Sequence, residues 1–91
     1  MHSLLPLIDN YLTNNHLTLK YLNIEREYGL FEIAICVKDT HNHEVYNNRY
    51  ISETELQHAF DPTLYLALEL DIFFVQIMTK LAEMSVPPPP L

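Results

Sequence analysis

The sequence predicts a small α+β domain in the order α-β-β-β-α-α, in which a three-stranded antiparallel meander is covered by a long last helix. Helical spacing at the start of the chain, a period of two from Leu17 to Ile51, and an unbroken run free of glycine and proline from Thr63 to Met84 lead to that class. At 91 residues there is room for one domain, read as 1–86, followed by a proline-rich tail over 87–91.

Leu4, Leu5, Ile8, Tyr11 and Leu12 recur at helical spacing, with Ser3 placed to cap and Pro6 confined to the opening turn. Thr13 to His16 reads as the stop, because asparagine accepts left-handed geometry. From Leu17 the side chains alternate. Leu17, Leu19 and Tyr21 share one face and Thr18, Lys20 and Leu22 the other, until Glu25-Arg26-Glu27 and the single glycine, Gly29, form a turn. The next run is the clearest strand: Phe31, Ile33, Ile35 and Val37 point to a core, while Glu32, Ala34, Cys36 and Lys38 point away from it. Asp39 to His43 supplies a second polar turn, and Glu44 to Ile51 returns as the third strand.

Ser52 and Glu55 have the spacing of a capping box, which starts a second helix ending near Phe60. Asp61-Pro62 repeats the signal, with Asp61 as cap and Pro62 at the first helical position, where its missing N–H costs nothing. The third helix carries two apolar stripes. Leu64, Ala67, Leu68, Asp71, Phe74, Val75, Met78, Leu81 and Ala82 are read as the one that covers the sheet. Leu66, Leu70, Phe73 and Ile77 are read as a surplus stripe that must meet the first helix, the second helix or another chain; a homodimer joined through the third helix or the sheet is expected, with these four as its interface. Glu69, Asp71, Gln76 and Lys80 interrupt the run short of the roughly 20 apolar residues a membrane span needs. Pro87 to Pro90 stop the helix and favour an extended tail.

Five Lys and Arg stand against 12 Asp and Glu, a formal charge of −7 at pH 7. Lys20, Arg26, Lys38, Arg49 and Lys80 are too few and too scattered to neutralise a run of phosphates, so direct nucleic-acid binding is disfavoured, as is an anionic membrane surface. A basic protein partner fits the charge. Five histidines would carry the charge from −7 to −2 if all were protonated, so solubility should respond to pH below about 6. The single cysteine, Cys36, makes no internal disulfide. Met1-His2-Ser3 lacks the basic residue of a secretory signal. A cytoplasmic setting, bacterial or in a host cell, is the plain expectation.

The residues that carry chemistry are sparse. Cys36 lies mid-strand with no activating base, one glycine excludes phosphate-cradling loops, and Glu69 and Asp71 diverge by about 200° on a helix. No enzyme is expected, and no cofactor. His41 and His43 have a spacing that lets two imidazoles face one metal, with Asp39 or Glu44 to complete the set; a solvated hairpin turn accounts for them more simply. Asp71 falls in an apolar stripe and needs a partner, for which Arg49, Tyr46 and Tyr50 are candidates. The third strand presents Tyr46, Asn48, Arg49 and Tyr50, residue types that combine contact area with directed hydrogen bonds at protein interfaces.

These features lead to a non-catalytic protein-binding protein, working through Tyr46, Asn48, Arg49 and Tyr50 together with the acidic Glu25, Glu27 and Glu32. In general character only, the chain resembles the small acidic inhibitors that phages and mobile elements direct against host nucleases, anti-CRISPR and anti-restriction proteins among them. No motif carries that resemblance. It implies a basic nucleic-acid-binding enzyme as partner, with carboxylates in the place of phosphates. Glu53 and Glu55 belong to the same acidic set. A structural subunit of a larger assembly and a His41/His43 metal- or ligand-binding regulator are the alternatives.

Overall fold

A computed structural model describes residues 4–85. The elements are α1 (Leu4–Asn14), β1 (Thr18–Glu27), β2 (Leu30–Lys38), β3 (Glu44–Ser52), α2 (Glu53–His58) and α3 (Pro62–Ser85). The three strands form one antiparallel sheet in the order β1-β2-β3. This is the expected α+β architecture, with the long last helix packed on the sheet. The capping role of Ser3 and the proline tail at 87–91 lie outside the described residues.

Local chemistry sets each boundary. Helix α1 ends in a paired hydrogen-bond motif: the Leu17 N–H donates to the Leu12 carbonyl (2.9 Å) and the His16 N–H to that of Thr13 (3.3 Å). His16, with φ 55°, takes the left-handed position expected of an asparagine. Leu12 and Leu17, at the two ends of the motif, are both buried, which adds the usual hydrophobic contact. At the other helix starts, Ser52 accepts from the Glu55 N–H (3.2 Å) and Asp61 from the Leu64 N–H (3.1 Å). Both satisfy backbone donors that the first helical turn leaves free.

The hairpin between β1 and β2 corrects one expectation. Glu25, Arg26 and Glu27 belong to the strand, and the turn is Tyr28-Gly29 alone, both with positive φ (54° and 76°). Two left-handed residues in sequence give the tight turn whose twist matches the flanking strands. A register shift between Leu19 and Tyr21 then reverses the alternation of β1, so that Leu22 and Ile24 turn to the core and Tyr21 away from it. The bulge explains why a plain period of two misplaced the faces of this strand.

The core lies between the sheet and α3. Phe31, Ile33, Ile35 and Val37 of β2 and Val45 and Ile51 of β3 meet Leu66, Leu70, Phe73, Phe74, Ile77 and Leu81 of α3, with Leu4, Ile8 and Leu12 of α1 closing the margin. The buried side of α3 therefore takes the whole of the second stripe, with only Phe74 and Leu81 from the first. Leu66, Leu70, Phe73 and Ile77, expected at a homodimer interface, are at most 6% exposed within their own chain. Leu64, Leu68 and Val75, expected on the sheet, are exposed by 55%, 54% and 64%. Both stripes are apolar, so helical periodicity found them but not which one the sheet takes.

Among the described residues, no helix is long and apolar enough to cross a membrane.

Candidate functional site

Among the described residues, all the packed helices contribute to one side of the sheet, and the other side is open. Its residues follow from the register. Tyr21, Cys36 and Tyr46 form one cross-strand row, and Asn23, Ala34 and Asn48 the next. Glu25, Glu32 and Tyr50 form a third, and Glu27, Leu30 and Ser52 a fourth. Tyr21, Tyr46 and Tyr50 are each more than half exposed at 51%, 54% and 60%. The small Ala34, between Asn23 and Asn48, is the buried floor of the middle row.

The meander thus brings together most of the residues singled out for binding. Tyr46, Asn48 and Tyr50 come from β3, Glu25 and Glu27 from β1, and Glu32 from the strand between them. Asn48 donates to the Glu32 carboxylate (2.8 Å), which ties the polar middle of the face to its acidic end. The Glu32 charge, with smaller contributions from Tyr46 and Glu25, raises the Tyr50 hydroxyl above the ordinary tyrosine value. Glu25, Glu27, Glu32 and Tyr50, with Tyr28 and Leu30, line a shallow depression of about 220 Å³.

Glu25 and Glu32 are direct cross-strand neighbours. Side chains in such a pair lie about 4.5–5.5 Å apart at Cβ, and like charges there are destabilising. The pair has no facing cation in its row, because Arg26 points the other way and pairs with Glu53.

Arg49 does not belong to this face. It alternates inward with Val45, Asn47 and Ile51, is partly buried, and forms an ion pair with Glu69 of α3. Asp71 finds a different partner from those expected: it accepts a hydrogen bond from Tyr11 of α1, not from Arg49, Tyr46 or Tyr50. Tyr11 in turn stacks on Phe74, with ring centroids 4.7 Å apart and planes 6° from parallel.

His41 and His43 have a structural account. One Asp39 carboxylate oxygen accepts from the backbone N–H groups of His41 (2.9 Å) and His43 (2.8 Å), and the other lies 3.2 Å from the His43 ring. Burial acts to raise the Asp39 carboxyl, but the His43 and His41 backbone donors and the His43 ring outweigh it and leave it below the ordinary value. Asp39 is thereby engaged in building the turn, with Asn42 in the left-handed region at φ 66°. Among the described residues no group of three or more His, Cys, Asp or Glu side chains is gathered to hold a metal ion.

Sequence reasoning missed Asn47. It is buried at 6% exposure on the core face of β3, donating to the Phe73 carbonyl and to Gln76 (both 3.2 Å). Its carbonyl oxygen accepts from Lys80 (3.1 Å), which also donates to the Tyr46 carbonyl (3.0 Å). These bonds hold α3 against β3 directly behind the tyrosine strand. The signal was present: a period of two places Asn47 on the same side as Val45 and Ile51, where an amide needs partners.

Compared with protein-family models, curated proteins and solved structures, the chain matches none.

Proposed function

We propose that the chain is a non-catalytic protein-binding domain that offers the open face of its sheet to a basic partner. The cross-strand pair Glu25–Glu32 carries this reading. A like-charge pair costs stability where it stands, and such local conflicts collect at sites kept for binding. Tyr46, Tyr50 and Asn48 beside it supply rigid area and hydrogen bonds, and the formal charge of −7 favours approach of a cationic surface. An inhibitor that fills the cationic channel of a nucleic-acid enzyme, in the manner of anti-defence proteins, is the form of this function that suits the charge best.

The test uses the full chain, tagged, to capture proteins from a bacterial lysate, alongside Glu25→Gln and the double variant Tyr46→Ala/Tyr50→Ala. Glu25→Gln removes half of the like-charge pair, so it should raise stability by about 0.2–1 kcal/mol while weakening capture. A basic nucleic-acid enzyme retained by the natural chain, lost with both variants and inhibited when purified, would support the proposal. Capture that both variants leave unchanged would refute it.

A further inference from the structure

A second surface lies on the far side of the domain. Leu64, Leu68, Ile72 and Val75 recur at steps of four, four and three along α3, opposite the buried stripe, and each is 44% exposed or more. Beside them runs a groove between α1 and α3, about 640 Å³ in volume, with Phe74, Met78 and Ala82 on one wall and Tyr11 and Asn15 on the other. Scattered exposed leucines are ordinary on a small protein, whereas a continuous apolar row along a helix next to a groove marks a docking surface.

The charges around it select the occupant. Asp71 stands at the groove, Glu83 lies on the opposite flank of the row toward β3, and the one cation of α3, Lys80, is turned toward β3 by its bonds to Tyr46 and Asn47. A second copy of this chain would bring the same carboxylates together and set a charge of −7 against −7. A cationic helix would not.

We infer that the outer face of α3 and the α1–α3 groove bind an amphipathic helix whose apolar side is flanked by Lys or Arg. Its apolar anchors, at three- and four-residue spacing, lie along Leu68, Ile72 and Val75 and in the groove, and its cations face Asp71 and Glu83. This surface is independent of the open sheet face, from which the sheet and core separate it.

Two synthetic helical peptides of equal length, one with leucines flanked by lysines and one with leucines flanked by glutamates, are the probes. Titrated into the isotope-labelled full chain, the lysine peptide should shift the amide resonances of Tyr11, Ile72, Val75 and Thr79 to saturation. The glutamate peptide should bind at least about tenfold more weakly. Val75→Lys, at an exposed position, should weaken the lysine peptide by about tenfold or more with the core resonances unchanged, and Asp71→Asn should weaken it less. Shifts confined to Glu25, Glu32 and Tyr50, or no saturable shifts, would overturn the inference while leaving the sheet-face proposal standing. A concentration-dependent dimer of the chain alone, abolished by Val75→Lys, would overturn it in favour of a second copy.

Discussion

The two faces of β2 differ by one residue in register and by almost everything else. Phe31, Ile33, Ile35 and Val37 are at most 1% exposed beneath α3, while Glu32, Cys36 and Lys38 alternate with them on the side that, among the described residues, no helix covers. Burial constrains the first set to apolar residues of matched volume. The second set is under no such demand, and it holds an arrangement, Glu25 opposite Glu32, that stability alone disfavours. The contrast separates what the fold needs from what is free for recognition.

Phe73→Ala gives the sharpest test of the inner side. The ring is fully buried and meets Phe74 edge to face. Truncation should cost about 3–5 kcal/mol in denaturant unfolding. If Phe73 served instead at an interface between copies, the variant would keep its stability at low concentration and change only its mass. Asn47→Ala should cost less, about 1–3 kcal/mol, because it removes the donors to the Phe73 carbonyl and Gln76 and leaves Lys80 only the Tyr46 carbonyl. A loss of that size without change in the sheet-face resonances would separate the anchoring of α3 from recognition. The same measurement on Tyr46→Ala should give a change within about 0.5 kcal/mol, since the side chain is exposed.

The smallest effects are those of pH at the margins of the comparison. Burial, then the hydrogen bond to Glu55 (2.9 Å), pushes the Tyr65 hydroxyl up to about 12. A raised folded value means that its contribution is complete below the unfolded value near 10 and is lost as pH rises through about 12. Tyr65→Phe should remove that alkaline component from the stability profile. Asp39 has the opposite sign. Its lowered folded value gives a contribution present above the unfolded value, near 3.9, and lost as pH falls through the folded one. Asp39→Asn should flatten the acid limb, measured by unfolding between about pH 5 and 2.

Much of the architecture was legible because its signals are local. Ser52, Asp61 and Pro62 marked helix starts by cap chemistry, Gly29 marked a turn, and the alternation of β2 named its own core face. Strand β1 was less legible, since a bulge at Lys20 breaks the period and its cost is decided by pairing with β2. The candidate site was legible in kind and incomplete in membership. Tyr46, Asn48, Tyr50, Glu25, Glu27 and Glu32 share a face only because the meander sets them in adjacent rows, and Arg49, one residue out of phase, falls to the core side and pairs with Glu69.

By itself the sequence determined the number, kind and order of the elements, the acidic balance, and the excess of apolar surface on α3. Only the tertiary structure decided which of the two stripes of α3 meets the sheet, which partner satisfies Asp71, and which face of the meander stays open. The physical reason is range. Caps, turns and periodicity are settled within a few residues, whereas the choice between two apolar stripes depends on the shape of Phe31, Ile33 and Ile35 and on the anchoring of α3 by Asn47, all distant in the chain from the helix they orient.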